Sequence, residues 1–389
     1  MHGILVHEVL KGGPADKENA LRVGDIIVEV DGEDVSNASF KHVLDAMRGR
    51  AGSRMQLGVL RDQKRIDVGL IRAQIALDDK RVDVEAEPFG ECYIGRITLH
   101  SFYEGESGVS SEKDVKEAIA ALKAKGPLGG LVLDLRNNTG GFLTQAVKVA
   151  GLFISNGVIV VSKYSDGSEK YFRTVGGRRS FDGPIVVLIS RNSASAAEIV
   201  AQALQDYGVA IVAGDEQTYG KGTIQHQTIT DKKSETFFKV TVGRYYTASG
   251  KSTQLHGVKA DIMIPTEWQF EEVGESYLDY PLAADRIEPA FHDSLKDVDL
   301  FARKWFVQYY LPSIEPVHTE WSALIPVLKR NSEERQKLNR NYQLFLQQVR
   351  EKQPRANHGA NDLQMDEAVN IVKDMIYMAS DRAWELQAS

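Results

Sequence analysis

The chain has 389 residues, too many for one ordinary core at about 150 residues per domain, so two or three modules are expected. Its 42% hydrophobic and 26% charged residues exclude the disordered and fibrous classes. The 54 acidic against 47 basic residues, a net charge of -7, exclude a nucleic-acid binder that relies on a basic face.

The single cysteine, Cys92, leaves no internal disulfide and no multi-cysteine metal site. No run approaches the roughly 20 apolar residues of a membrane-spanning helix, and the first residues do not read as a secretory signal, so the chain reads as soluble. Apolar, strand-like sequence begins as early as Ile4, from which a longer precursor is expected.

Residues 4–75 read as short strands and turns: Ile4 to Val9, a Gly12-Gly13-Pro14 turn, Ile26 to Val30, and Asp31-Gly32 as a hairpin turn. Phe40, Val43, Leu44 and Met47 lie at helical spacing before Gly49, and strands follow over Met55 to Leu60 and Ile66 to Ile71. From about residue 91 strands alternate with helices, the pattern of a crossover-connected α/β core. Ser111 is placed to cap a helix that runs to Gly126-Pro127; Gly130 to Leu135 is a buried strand and Thr144 to Phe153 a helix. Val158 to Val161 is extended, Ile185 to Ile189 is a fully apolar strand, Ala196 to Gln205 is a helix, and Val209 to Val212 returns to the sheet. Past Pro265 the texture turns helical: an acidic linker spans Trp268 to Asp285, a helix is capped at Asn331 or Ser332, and Val369, Val372 and Ile376 form an apolar stripe.

Ser195 opens the helix that follows the strand Ile185 to Ile189. With Glu198 it has the S-x-x-E spacing of a capping box, an ordinary structural role worth about 1 kcal/mol. The same position suits a nucleophile, because free N–H groups and the positive end of the helix dipole stabilise an oxyanion. A serine hydroxyl also needs a base. None of the histidines, His226 included, has a spacing that ties it to Ser195, whereas Lys221 lies between Gly220 and Gly222 just before a strand, in uncharged surroundings. A lysine base has to be neutral, which desolvation favours, and Ser-Lys pairs are an established variant of the triad. Taken alone, Lys221 reads better as one of the chain's many solvated cations than as a base. A phosphate loop over Gly214 to Lys221 is disfavoured, because five residues rather than four separate the glycines and Gly222 stands where Ser or Thr would bind magnesium. Gly140-Gly141, at the end of Asp134-Leu135-Arg136-Asn137-Asn138, is either a turn or an anion-facing pair of N–H groups.

The residues up to 72, with Gly24-Asp25-Ile26-Ile27 and Val30-Asp31-Gly32 at fixed spacing, resemble a PDZ domain, whose carboxylate-binding loop would precede Met1. The ordered segments "LVLDLRNNTGG", "SASAAEI", "QDYG", "GKGTIQ" and "QLHGVKADI" resemble the tail-specific proteases, or C-terminal processing peptidases. The resemblance implies a multidomain α+β chain: a PDZ-like β-rich domain over 1–75, an α/β Ser-Lys peptidase core over 76–265, and a mostly helical C-terminal domain over 266–389. It places the nucleophile on Ser195, the base on Lys221, a lysine-orienting glutamine on Gln225, and the oxyanion N–H groups on Ala196 and one of Gly140 and Gly141, Gly140 being preferred. Asp206 falls on a structural position. The sequence departs from the family pattern at Ala197, at Ala260, and in a lysine loop one residue longer than usual. The implied function is cleavage of polypeptides with apolar, unstructured C-terminal ends through an acyl-enzyme, in the periplasm or cell envelope, without metal, cofactor, nucleic acid or a stable membrane span; homo-oligomerisation is left open. The rival reading is a peptide-binding scaffold whose site is not assembled.

Overall fold

A computed structural model describes residues 3–388 apart from 7–8, 10–12, 39, 62–63, 74–80, 106–107, 230–236 and 352–361. The chain divides into two compact units, Met1–Lys80 and Arg81–Ser389.

In the first unit, strands β1 (Ile4–Leu5), β2 (Ile26–Val30), β3 (Glu33–Asp34), β4 (Arg54–Arg61) and β5 (Lys64–Ile71) form an antiparallel sheet in the order β1-β2-β4-β5, with β3 paired to β2. Helices α1 (Pro14–Lys17) and α2 (Phe40–Met47) accompany it. Period-two alternation buries Met55, Leu57 and Val59 of β4 and leaves Arg54 and Gln56 exposed. Asp31 and Gly32 both take positive φ (48° and 88°), the backbone that a tight hairpin turn requires. Asp25 is buried because the Arg61 guanidinium clamps it from two sides (2.7 and 2.8 Å), which holds its carboxyl below the usual range. Of the expected strand from Ile4 to Val9, Ile4–Leu5 pair with β2 and Val6 continues with backbone hydrogen bonds to Asp25 and Gly24; residues 7–8 and the start of the Gly12-Gly13-Pro14 turn lie outside the described residues.

The second unit is built on a six-stranded sheet of β6 (Val82–Phe89), β7 (Cys92–Leu99), β8 (Leu128–Asp134), β11 (Ile185–Ile189), β12 (Ile211–Gly214) and β15 (Ile262–Met263), in the order β15-β12-β11-β8-β7-β6. All its neighbours are parallel except the β6/β7 hairpin. The interruption in strand numbering is a second, antiparallel sheet: β9 (Gly157–Tyr164), β10 (Glu169–Thr174), β13 (Thr223–Ile229) and β14 (Phe237–Thr247), ordered β10-β9-β14-β13. Strand β11 is buried along its whole length, as a central strand covered on both faces must be. Helices α3 (Ser111–Lys125), α4 (Leu143–Ala150) and α5 (Ala196–Asp206) share a core with one face of the sheet.

The C-terminal helices cover the other face. After the short α6 (Leu300–Trp305) come α7 (Ile325–Leu338), α8 (Arg340–Arg350) and α9 (Leu363–Ala388), and their apolar stripes share one core with Val132, Val186, Leu188 and Ile211 of the sheet. The segment expected as a separate helical domain thus belongs to the second compact unit. Gly130 is part of the reason: a Cβ there would come 2.2 Å from Val372 Cγ1, so the strand lets α9 approach closely.

Two helix boundaries differ from expectation. Ser110, not Ser111, caps α3, and Ser111 is buried as its first residue; with two serines in tandem, the one in extended conformation receives the Lys113 N–H. Asn331 and Ser332 lie inside α7, which starts at Ile325 with Pro326 in its first turn, and the break comes at Asn339, whose side chain caps α8.

Candidate active site

Ser195 stands where β11 turns into α5, with φ 58° and ψ -114°. A side chain in that region costs about 1–3 kcal/mol and persists only where its surroundings over-determine it. They do so here. Ser193 Oγ donates to Leu135 O (2.7 Å) and accepts the Ser190 N–H (2.9 Å); Ala194 N–H donates to Asn138 O (3.0 Å), and Tyr219 N–H to Ser193 O (3.0 Å). Half of the capping box is firmly made, Ser195 N–H donating to Glu198 Oε2 at 2.7 Å; the reciprocal approach of the Glu198 N–H to the Ser195 side chain does not amount to a capping hydrogen bond.

Glu198 does more than the sequence pattern indicates. Wholly buried, it also accepts Thr218 Oγ1–H (2.6 Å) and Gly220 N–H (2.7 Å) at Oε1, and Lys221 N–H (2.9 Å) at Oε2. One carboxyl thus fastens the backbones of Ser195 and Lys221 to each other. Burial pushes it up to about 7, against the opposing pull of its four donors. Tyr245 repeats the junction from the second sheet. Its hydroxyl lies 3.3 Å from Ser195 O, bonds to Lys221 O, and accepts from Thr253 Oγ1 at 3.0 Å; burial holds the phenol well above its usual range. The two glycines beside Lys221 are required by close approach: a Cβ on Gly222 would meet Gln254 N and Ser252 Oγ at 2.6 Å, and Gly220 takes φ 92° against the Leu255 backbone. The segment expected as a linker closes over this loop, with Glu275 N–H donating to Tyr219 O (2.8 Å) and Gln254 bridging Gly222 N to Leu282 O.

The side chain of Lys221 is less constrained. It is half-buried, and Nζ donates to Gln225 Oε1 at 3.3 Å; Gln225 itself is exposed on β13. Among the described residues no hydrogen bond joins Lys221 Nζ to Ser195 Oγ. The structure brings the two backbones together and leaves the Lys221 side chain turned toward Gln225.

Gly140 packs directly on Ser195: a Cβ there would lie 2.8 Å from Ser195 Cβ and 3.1 Å from Ala196 N. Its N–H, however, is donated to the buried Asn138 Oδ1 at 2.9 Å, so the preferred oxyanion donor is already occupied; a side-chain acceptor two residues upstream captures it, as Asn does in tight turns. Gly141 (φ 143°), the alternative, makes no such bond among the described residues, and a Cβ there would strike Phe102 O at 2.0 Å. Ala196 N–H is the first of its helix and has no partner within it. The loop is fixed from behind by Arg136, which pairs with Asp134 Oδ2 (2.6 Å) and reaches Asp362 Oδ1 (2.7 Å) at the start of α9.

Asp206 accepts from Gln202 Nε2 (2.9 Å) and Thr247 Oγ1 (2.7 Å), joining α5 to β14, a structural use. Cys92 donates to Phe89 O at 3.1 Å. Sequence reasoning missed Thr218, Asn138, Tyr245 and Gln254, because their partners lie 20 to 50 residues away and nothing local announces them. Glu198 carried a signal, its S-x-x-E spacing, but the signal spoke only of capping.

Comparison with known proteins defines the class. Residues 93–264 match the sequence model of peptidase family S41, and residues 1–60 match that of the PDZ domain. The tail-specific protease of Haemophilus influenzae is 30% identical over 309 residues, covering 76% of this chain and 44% of that protein. The carboxy-terminal-processing protease of Bartonella bacilliformis is 35% identical over 257 residues, covering 64% of this chain and 56% of its own. Among solved structures, the photosystem II D1 C-terminal processing protease is 30% identical, covering 67% of this chain and 68% of that one, with a TM-score of 0.45. The chain carries a PDZ domain followed by an S41 peptidase domain. It belongs to the S41 peptidases of the tail-specific and C-terminal processing kind, and it spans about half the length of the curated relatives it matches. Among the described residues no helix is long and apolar enough to cross a membrane.

Proposed function

We propose that this chain is a serine endopeptidase that holds polypeptides by apolar, unstructured C-terminal ends and cleaves them through an acyl-enzyme on Ser195, with Lys221 as base. The observation that carries the reading is the Glu198 carboxyl, which spends all four of its contacts on fixing the nucleophile turn and the lysine loop against each other. A structural cap needs only one of them.

In the proposed cycle Ser195 Oγ attacks the scissile carbonyl carbon while Lys221 Nζ takes its proton. The developing oxyanion lies at the Ala196 N–H and, with Gly140 engaged by Asn138, at the Gly141 N–H. Lys221 returns the proton to the leaving amine; water, deprotonated by the Lys221 amine, then attacks the acyl carbon, and the acid leaves as Ser195 Oγ takes the proton back from Lys221. For this the lysine has to swing from Gln225 to Ser195, and a bound substrate that displaces water over the half-buried side chain favours its neutral form. The geometry described is then a resting state. The reading includes no metal or cofactor, and it places the protein in the periplasm or cell envelope.

The test is incubation of an unfolded polypeptide ending in apolar residues with the protein, with Ser195→Ala and with Lys221→Ala. Cleavage confined to the parent supports the dyad. Equal cleavage by all three removes it, and cleavage by none favours a peptide-binding scaffold.

A further inference from the structure

Two cavities outside the catalytic junction share one residue. The first, about 560 Å³, is lined by Gln202 and Gln205 of α5 with Lys251, Lys259, Arg286 and His256. The second, about 570 Å³, continues past Arg286 to Lys163 and Lys296. Each is of the size of a ligand site, which runs to about 300–1,000 Å³. An isolated backbone bridge sets Lys251 beside Arg286 at their junction.

Their charge runs against that of the chain, which is -7 overall. In the first cavity the one acid, Asp285, is neutralised from elsewhere, by Arg244 at 3.0 Å and the Tyr246 hydroxyl at 3.0 Å. Lys251, Lys259 and Arg286 form no ion pair among the described residues. The second is lined by two acids, Glu169 and Glu288, beside Lys163, Arg286 and Lys296; Glu169 is engaged by Tyr171 Oη (3.1 Å) and Lys163 (4.0 Å), while Lys296 forms no ion pair among the described residues. Cations outnumber acids in both walls, most in the first cavity, and a concave surface with an excess of positive charge attracts anions and concentrates the field. The run is elongated rather than a single cup, which fits a chain of anionic groups better than one compact ion. It also adjoins the lysine loop, since Ser252, in the wall of the first cavity, sits against Gly222.

We infer that this double cavity binds an acidic segment of polypeptide, its Asp and Glu side chains meeting Lys251, Lys259 and Arg286. The inference rests on the peptidase reading only for where the segment comes from, namely the substrate. Binding is therefore measured apart from cleavage, on the full chain carrying Ser195→Ala, by fluorescence anisotropy with two peptides of identical C-terminus. One has an internal Glu/Asp-rich segment and the other the corresponding Gln/Asn segment, so that a contribution of the PDZ domain cancels. The acidic peptide is expected to bind at least about tenfold more tightly, with a margin that shrinks as salt is raised. Lys251→Glu with Arg286→Glu, both exposed side chains, is expected to abolish the margin while leaving the amide peptide unaffected. Equal binding of the two peptides, or a margin that survives charge reversal, overturns the inference. So does competition by inorganic phosphate at concentrations comparable to those of the acidic peptide, which would assign the surface to small anions.

Discussion

The nucleophile turn and the lysine loop meet at the same carboxyl, yet they are held in opposite ways. Around Ser195 the backbone is strained and locked from four sides, through Ser193, Asn138, Tyr219 and Glu198. Around Lys221 the backbone is equally fixed, by Glu198, Tyr245 and Thr253, but the side chain has only a 3.3 Å contact to an exposed glutamine. In the proposed mechanism, pre-organisation thus goes to Ser195 and to the approach of the loops, and proton transfer is left to a rotamer change of Lys221. A site can keep strain where it shapes the nucleophile and keep freedom where it sets the activity state.

That contrast can be broken at several points. Ser195→Ala is expected to remove cleavage by at least about 10³-fold with the thermal midpoint little changed, in a gel-based assay of an unfolded substrate run beside calorimetry. Glu198→Ala leaves four donors without their acceptor, one of them the Lys221 N–H; it is expected to lower stability by about 3 kcal/mol in urea unfolding and to abolish most of the activity. If activity survives that change, the two loops do not depend on the shared carboxyl. Gln225→Ala, at an exposed position, is expected to reduce kcat about tenfold with KM nearly constant, since it touches the orientation of the base and not the substrate.

The smallest effect is a pH dependence. Glu198 has its ordinary value near 4.5 when unfolded and rises to about 7 when buried, so the folded state holds the proton over that window. Folded stability from this group is complete below the lower value and declines as pH rises through the upper one, by at most about 1.4 kcal/mol per unit. The stability of the parent relative to Glu198→Gln, which has no proton to lose, is therefore expected to fall between pH 5.5 and pH 8. A flat difference would mean that the four donors keep the carboxylate ionised throughout.

Much of the scaffold was legible from local pattern. The apolar run Ile185–Ile189 and the helix after it fall where periodicity puts them, because a strand covered on both faces has no polar alternative. Position 339 was not legible: the stretch from Ser332 to Gln353 reads as one helix, and only the Asn339 side chain, capping backward onto Asn341 and Tyr342, divides it. Of the candidate site, the residues were readable and their state was not. Whether the Gly140 N–H is free depends on Asn138, whose own orientation is set by Leu99 O, 39 residues earlier. Whether Lys221 faces Ser195 or Gln225 is a rotamer, and a rotamer leaves no trace in spacing.

The Arg136–Asp362 pair has a consequence in time. The loop that carries Gly140 is braced by a residue 226 positions further along the chain, at the head of the last helix. A chain emerging from the ribosome makes Ser195 and Lys221 long before it makes that brace. The Gly140 loop therefore takes this support only after every strand of the central sheet has been made.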